Sequence, residues 1–315
     1  MQNLALESAA DVGFGPASAD ASFRRYFRVV RGAQSWIVMD APPDRENLEP
    51  FIAIARLSEA AGLNAPKVLA EDRERGYLLL SDLGRQTFLH VLTAENADPL
   101  MQDAISALIC WQLASREGVL PAYDAAMLQR ELDLFPDWYV GRHLARTLSV
   151  VQRASLTQIE QQLIASALAQ PKVYVHRDYM PRNLMVSTPS PGVLDFQDAV
   201  YGPISYDVVS LFRDAFMSWP AERVEQWMRL YWQQATAAGL PVDASFDDFR
   251  RAADWMGLQR HLKVIGIFAR IQHRDGKPQY LADVPRFIRY VREVAGKYPE
   301  LAALVALFDQ LGMQA

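Results

Sequence analysis

The fold of this chain is decided by one stretch, His-Arg-Asp-Tyr-Met-Pro-Arg-Asn at residues 176–183. Short apolar runs at 172–175, 184–186 and 192–194 surround it, and Asp195-Phe196 follows the last of them directly. Each run has the length of a short strand, whereas the sequence on both sides has the period of helices. Loops between such strands commonly hold the residues that perform chemistry, so we expect the polar side chains of this segment to face a cleft.

Three polar residues of the segment match the needs of phosphoryl transfer. Asp178 supplies a carboxylate that can orient an attacking hydroxyl and accept its proton. Asn183 and Asp195 supply two oxygen ligands for Mg²⁺, in the order and at the spacing that protein kinases use. A His-Arg-Asp tripeptide alone would be a weak signal, but here it is combined with the following Asn and with a strand-flanked Asp-Phe. The joint pattern predicts a kinase-like fold.

The composition is that of an ordinary globular protein, since 50% of the 315 residues are apolar and 22% are charged. The formal charge of −5 disfavours a protein that mainly wraps nucleic acid. No run of 18 apolar residues is present, and residues 1–15 have neither the basic region nor the apolar core of a signal peptide. We therefore expect a cytoplasmic protein that has neither nucleic acid nor a membrane as a partner. The single cysteine, Cys110, lies in an apolar helical stripe, which predicts a core position.

The hydrophobic period divides the chain into two parts. The first 90 residues have the pattern of short strands with one helix around 51–58. From about residue 94 the period becomes 3.6, and helices are predicted at 205–216, 221–238, 246–271, 284–296 and 299–311. Thr157-Gln158-Ile159-Glu160 has the pattern of a capping box, which predicts that another helix begins there. We predict a bilobal α+β protein, with a small β-rich lobe at 1–83 and a larger, mainly helical lobe at 84–315.

The segment after residue 192 resembles the aminoglycoside phosphotransferase and choline kinase family. The resemblance rests on Val-Leu-Asp-Phe-Gln-Asp-Ala at 193–199, then Gly202-Pro203 and Tyr206-Asp207. Within this family, the chain is most similar to the sugar kinases that phosphorylate the anomeric hydroxyl of N-acetylmuramate and N-acetylglucosamine. That similarity is supported by the strings at 130–138, 259–263 and 280–283, and the resemblance extends over about residues 14 to 300.

The resemblance implies a protein-kinase-like fold, with a nucleotide-binding lobe at 1–83 and a catalytic and substrate lobe at 84–315. It implies an ATP- and Mg²⁺-dependent kinase, a monomer, that phosphorylates the C1 hydroxyl of an amino sugar in peptidoglycan recycling. One alternative keeps the fold but changes the acceptor to an aminoglycoside, to choline or to a similar amine. Another alternative, from a different class, is a non-catalytic nucleotide-binding regulator.

Carried over residue by residue, the resemblance implies Asp178 as the catalytic base and Asn183 and Asp195 as Mg²⁺ ligands. Asp207 is expected to brace the catalytic loop by accepting backbone N–H bonds, and His176 to hold the same loop through backbone hydrogen bonds. Arg182 is a candidate for contacting the transferred phosphate, with a solvated or structural role as the alternative.

The N-terminal part departs from the pattern of the kinase-like fold. Met39 or Asp40 falls where the phosphate-gripping Lys is usual, and Phe51 falls near the position of its partner Glu. Arg24, Arg25 or Arg28 could supply the missing positive charge, because a guanidinium matches phosphate oxygens. We assign Arg28 to cofactor binding. The region over the phosphates is expected to comprise Gly13, Gly15 and residues 18–22, and the hinge that would read adenine to comprise residues 80–84, including Ser81 and Leu83.

Substrate recognition is expected from a polar-aromatic cluster, Asp133, Asp137 and Trp138. Asp198 is a further candidate on the substrate side, although it could instead approach the metal or only cap a turn. Three basic positions, Arg260, His261 and Lys263, could pair with the lactate carboxylate of N-acetylmuramate or with nearby acidic residues, and we favour the acidic residues.

Overall fold

The computed structural model describes residues 12–19 and 23–314. It divides into two compact units, the first running to Trp111 and including Arg182–Asp198, the second formed by Gln112–Pro181 and the chain from Ala199 onward. The first unit therefore extends beyond residue 83. The functional division into lobes 1–83 and 84–315 stays a prediction, since compactness does not show which segment binds a nucleotide.

The first unit contains a five-stranded antiparallel sheet. Its strands lie in the order β1-β2-β3-β5-β4 and are β1 (Val12–Ala19), β2 (Arg25–Arg31), β3 (Gln34–Asp40), β4 (Val68–Asp72) and β5 (Tyr77–Ser81). Helix α1 (Leu48–Ala60) lies between β3 and β4 in the chain, with Asn47 as its N-cap. The sequence did not predict β1, because its two glycines and one proline have low strand propensity.

The rest of the first unit is α2 (Phe88–Val91), α3 (Ala97–Leu113, whose last two residues belong to the second unit) and a hairpin of β7 (Leu184–Met185) and β8 (Gly192–Val193). Met101, Ile105 and Leu108 of α3 are buried, but Cys110 is exposed. The core prediction for Cys110 is wrong. At 100° per residue, position 110 lies on the opposite side of the helix from position 101.

The second unit is mainly helical, as predicted, and the α+β class is confirmed. Strands β6 (Lys172–Val175) and β9 (Val200–Pro203) form an antiparallel pair. The helices are α4 (Ala125–Leu132), α5 (Val150–Ala169), α6 (Tyr206–Phe212), α7 (Ala221–Ala237), α8 (Phe246–Asp275), α9 (Val284–Ala295) and α10 (Ala302–Gln310), with a π-helical segment at Phe135–His143.

Helix α5 begins earlier than the sequence predicted. Ser149 is its N-cap and forms a capping box with Gln152, so the helix starts at Val150. Thr157 lies inside the helix, and the predicted start there is wrong. Both segments fit the capping-box pattern, and the start with the longer uninterrupted helix after it prevails because each added residue forms another backbone hydrogen bond.

Helix α8 is 30 residues long and passes through the core of the second unit. At Gly266 it approaches the backbone before the π-helical segment so closely that a Cβ would lie 2.3 Å from the carbonyl carbon of Leu134. Glycine is required here for close approach. No helix in the described part of the chain has both the length and the apolarity needed to cross a membrane.

Candidate active site

The loop that follows β6 is held by backbone hydrogen bonds to a buried carboxylate. Asp207, in the first turn of α6, is completely buried and accepts the backbone N–H of His176 at 2.6 Å and of Arg177 at 3.0 Å. Burial raises the pKa of Asp207 to about 7, although these two hydrogen bonds act in the opposite direction. Arg177 has φ of +75°, a strained conformation that surrounding contacts must maintain. Asp207 supplies one such contact to Arg177 and a second to the preceding residue, His176.

Asp178 is half-buried at the end of this constrained segment. Its backbone N–H donates to Nδ1 of His176 at 3.3 Å, and the ring of His176 is buried against Tyr179. A carboxylate in this position can accept a proton from a hydroxyl, and the loop beneath it is fixed at consecutive residues.

Asn183 and Asp195 meet within the first unit. Nδ2 of Asn183 donates to Oδ2 of Asp195 at 3.2 Å, and Gln197 donates to Oδ1 of the same carboxylate at 2.9 Å. The backbone also joins the two segments, since Leu194 donates its N–H to the carbonyl of Asn183 at 2.9 Å. Asp195 has φ of +64°, another strained residue of the kind that clusters at functional sites.

The donor set of these two residues fits Mg²⁺. A carboxylate and an amide oxygen are hard oxygen ligands, and Mg²⁺ is commonly bound through one or two carboxylates together with substrate phosphates. The amide orientation at Asn183 turns Nδ2 toward Asp195, so its Oδ1 is the atom that would bind the ion.

Arg28 contacts the segment at 80–84 that the sequence predicts as the hinge. Its Nε and Nη2 donate to the two carboxylate oxygens of Asp82 at 2.5 and 2.9 Å, and Nη2 also donates to the carbonyl of Gly84 at 2.5 Å. Asp82 in turn accepts the backbone N–H of Gly84 at 3.0 Å. Arg28 thus closes a bidentate clamp on the segment that contains Leu83. We call Arg28, Asp82 and Gly84 the hinge clamp.

Ser81 lies at the end of β5, next to the hinge clamp. Its hydroxyl accepts the backbone N–H of Lys67 at 2.9 Å, and its own N–H donates to the carbonyl of Lys67 at 3.0 Å. Ser81 therefore joins the ends of two strands. Leu83, one residue after Asp82, is half-buried and packs near Gly192.

Two of the positions at which the resemblance places the Lys–Glu pair, Met39 and Phe51, are apolar and buried, and Asp40, the alternative to Met39, is a buried acidic residue. Met39 has no exposed surface, and Phe51 packs on Phe196 with ring centroids 5.0 Å apart. The two other candidate arginines also contact acidic side chains, because Arg24 lies 3.1 Å from Glu46 and Arg25 pairs with Asp40.

Residues expected over the phosphates are only partly described. Gly13 and Gly15 lie in β1 and pair with β2. Residues 20–22 of the predicted phosphate region lie outside the described residues.

The substrate candidates lie in different parts of the chain. Asp133 follows α4, is half-buried and accepts a hydrogen bond from Gln129 at 2.9 Å. Asp137 is exposed and Trp138 is partly buried, both within the π-helical segment. Asp198 is exposed and belongs to the first unit, as does Arg182, the exposed candidate for contacting the transferred phosphate.

A buried polar network around Glu131 was missed by the sequence reasoning. Lys263, one of the three basic positions on α8, lies 2.8 Å from Glu131, which agrees with the preference for an acidic partner. The sequence did contain a signal for this network, because Glu131 shares a helical face with the apolar residues Leu128, Leu132 and Phe135, all of which are buried. An acidic residue on such a face requires partners.

Two solved structures share the fold at low sequence identity. The choline kinase LicA from Streptococcus pneumoniae has a TM-score of 0.64 at 13% identity, covering 91% of this chain and 95% of that one. The ADP-bound aminoglycoside phosphotransferase APH(2'')-Ib has a TM-score of 0.55 at 15% identity, covering 90% and 94%. The protein-kinase-like fold predicted from the catalytic segment is confirmed.

Sequence comparison extends the similarity to the family level. An N-acetylmuramate/N-acetylglucosamine kinase from Pseudomonas putida is 60% identical over 295 residues, covering 94% of this chain and 87% of the relative. The model of the phosphotransferase enzyme family matches residues 14–255, and the predicted resemblance is confirmed. The chain belongs to the phosphotransferase enzyme family.

Proposed function

We propose that this protein is an ATP- and Mg²⁺-dependent kinase that phosphorylates the C1 hydroxyl of N-acetylmuramate, N-acetylglucosamine or both. The observation that carries the proposal is the loop at 176–178, where Asp178 follows two residues whose amides are fixed by buried Asp207. The substrate class is supported by the name of the Pseudomonas putida relative, which covers nearly the whole chain. The proposal includes a cytoplasmic, monomeric enzyme that acts in peptidoglycan recycling.

Asp178 acts as the general base in this proposal. The C1 hydroxyl of a free sugar is part of a hemiacetal and is more acidic than an ordinary alcohol. The carboxylate therefore needs only to orient the hydroxyl and to accept its proton late in the transfer. His176 and Asp207 hold the loop beneath it.

Asn183 and Asp195 would hold the Mg²⁺, which, when bound, supplies positive charge to the phosphate oxygens. Gln197 keeps the Asp195 carboxylate oriented by donating to Oδ1. Arg182, which is exposed one residue before Asn183, is proposed to contact the transferred phosphate.

The nucleotide is proposed to bind beside residues 81–84. Arg28 then contributes indirectly, because the hinge clamp fixes the backbone that would read adenine. Asp133, Asp137 and Trp138 are the first candidates for holding the N-acetyl group and the ring hydroxyls, with Asp198 as a further candidate.

One electrostatic observation is the ground for testing a second acceptor class. Burial raises the pKa of Glu160, and the nearby Asp133 and Asp137 act in the same direction, against Gln129 and Arg153. Such a group of carboxylates would suit a positively charged acceptor such as an aminoglycoside or choline. A non-catalytic regulator is disfavoured, because the family consists of phosphotransferase enzymes.

A coupled assay of ATP consumption with a panel of acceptors tests the proposal. N-acetylmuramate and N-acetylglucosamine should be consumed, whereas choline and an aminoglycoside should not. Phosphate at C1 prevents ring opening, so the reducing-sugar signal should fall in a one-to-one ratio with ATP consumed.

The matched control is the 1-O-methyl glycoside of the preferred sugar, which should bind without reacting. Phosphorylation of the methyl glycoside at the rate of the free sugar would place the acceptor elsewhere on the ring. Activity confined to the amine acceptors would establish the second class instead.

A further inference from the structure

Glu131 lies at the centre of a buried polar network in the second unit. Its Oε1 accepts hydrogen bonds from Arg177 at 2.5 Å and from Lys263 at 2.8 Å. Its Oε2 accepts hydrogen bonds from Tyr123 and, at 3.1 Å, from Gln259. These four partners come from the segment before α4, from the catalytic loop and from α8.

The carboxylate of Glu131 has no acceptor capacity left. An ionised carboxylate offers about four lone-pair positions, and four donors occupy them here. Burial alone would raise the pKa of Glu131, but Lys263 and Arg177 outweigh it and lower the pKa to about 2. Glu131 is therefore charged at every pH at which the enzyme would work.

A buried ion pair is by itself weak evidence for a contribution to stability, because desolvation offsets the attraction. An apolar side chain of similar volume would serve packing equally well. What an apolar side chain could not do is hold the guanidinium of Arg177 in one place. The network is therefore better explained by what it fixes than by the stability it adds.

Arg177 is fixed at both ends. Its backbone N–H is bound by Asp207 and its guanidinium by Glu131, while its φ of +75° needs support from its surroundings. Tyr123 donates its backbone N–H to the carbonyl of Tyr201 at 2.8 Å and packs closely on Gly202, where an added Cβ would lie 2.6 Å from the Cβ of Tyr123. The next residue after Arg177 is Asp178.

We propose that Glu131 is a positioning residue of the catalytic loop, which holds Arg177 and thereby fixes the direction of the Asp178 carboxylate. This inference rests on the proposed function, in which Asp178 is the base. Misplacement of a catalytic group by about 1 Å can cost roughly 10²-fold in rate, so loss of the contact should be visible in turnover.

The first test is the variant Glu131→Gln, which keeps the shape but removes the charge. We expect kcat per folded molecule to fall about 10²-fold, while KM for the sugar and for ATP stays within about twofold. A matched control is Asp254→Asn. Asp254 is also buried and is bound by Arg213 at 2.5 Å and by Tyr298 at 2.8 Å, neither of which belongs to the loop at 176–178.

Asp254→Asn should lower the free energy of unfolding but leave kcat unchanged. A Glu131→Gln enzyme with normal kcat would overturn the proposal, as would an equal loss of kcat in both variants.

A second variant covers the case in which Glu131→Gln does not fold. Arg177→Met removes the other partner and leaves Glu131 neutralised by Lys263. Arg177→Met should lower kcat to the same extent as Glu131→Gln and leave the KM values for the sugar and for ATP unchanged. If Glu131 acts through Arg177, the double variant should be no slower than Arg177→Met alone. Full activity of Arg177→Met, or additive losses in the double variant, would contradict the proposal.

Hydrogen exchange separates this inference from the proposed function. In Glu131→Gln, or in Arg177→Met, the backbone amides of 176–178 should exchange faster than in the wild type, and in Asp254→Asn they should not. If the wild type phosphorylates no sugar, the proposed function fails, while this exchange comparison still decides whether Glu131 holds the loop. Unchanged exchange at 176–178 would overturn the positioning role.

Discussion

At the scale of single residues, Asp178 has the central role in the proposed reaction. Replacing it by asparagine keeps the size and removes the base, so Asp178→Asn should lower kcat by roughly 10²–10⁴. Nucleotide binding should persist, since Asp178 belongs to the second unit and residues 81–84 to the first. Steady-state kinetics and a nucleotide titration measure the two effects. A kcat near the wild-type value would contradict the assignment.

Asp195 carries the prediction about the metal. Asp195→Asn removes the charged ligand, so the Mg²⁺ concentration needed for half-maximal nucleotide binding should rise. Asp137→Asn is the matched control, because Asp137 is exposed in the π-helical segment and is assigned to the substrate side. It should change the KM for the sugar and leave the Mg²⁺ dependence intact. Equal Mg²⁺ dependence in Asp195→Asn and the wild type would refute the metal assignment.

Glu131 should stabilise the folded protein less as the pH falls. Its folded pKa of about 2 is lower than the ordinary value of 4.5, so its contribution is present above pH 4.5 and is lost as the pH falls. Tyr123, Arg177 and Lys263, whose pKa values Glu131 raises, all titrate far above pH 6. The difference in free energy of unfolding between the wild type and Glu131→Gln should therefore narrow by roughly 2 kcal/mol between pH 6 and pH 3.

Urea unfolding of both proteins at the two pH values measures this difference. If the difference in free energy of unfolding between the wild type and Glu131→Gln is the same at pH 6 and pH 3, Glu131 is not held as a charged group.

At the scale of elements, the hinge clamp joins β2 to the end of β5. The side chains of Arg28 and Asp82 are only 12% and 4% exposed, so their ion pair is shielded from solvent. Arg28→Ala should leave Asp82 buried without its partner and loosen the backbone at residues 82–84. We expect the KM for ATP to rise about tenfold, the equivalent of roughly 1.4 kcal/mol.

Arg31→Ala is the control for the hinge clamp, because Arg31 is exposed on the same strand. It should leave the kinetics unchanged. If Arg28→Ala also has wild-type ATP kinetics, neither the hinge clamp nor a direct phosphate contact by Arg28 contributes to nucleotide binding.

At the scale of the whole molecule, α8 organises the core of the second unit through close approach at Gly266. Gly266→Ala would force a Cβ into the backbone of Leu134 and should destabilise the protein by about 1–3 kcal/mol. Gly257→Ala, in the same helix, would meet only side-chain atoms of Arg213 and Val209 at 3.2 Å. It should cost much less, because the side chains can move and alanine favours the helix by about 0.5–1 kcal/mol.

Thermal and urea unfolding of the two variants compare these effects directly. Equal stabilities would mean that the backbone contact at Leu134 relaxes without cost.

The sequence by itself predicted the features that depend on neighbours in the chain. The order of Asp178, Asn183 and Asp195 is a local pattern, and its spacing follows from a loop and a hairpin of fixed length. Helices α6 to α10 were predicted because hydrophobic period is a property of consecutive residues. Strand β1 was not predicted, because its local signal was weak. The start of α5 was placed wrongly, because two segments fit the capping-box pattern.

Tertiary structure alone decided which distant groups became partners. The assignment of Arg28 to cofactor binding, made because a guanidinium suits an anion, stays a prediction. Its contact with Asp82, 54 residues away, was decided by the tertiary structure. Glu131 gained its donors from residues as distant in sequence as Gln259 and Lys263. A sequence shows that a buried charge needs a partner, whereas the partner is chosen by the packing of helices and strands, which no local pattern encodes.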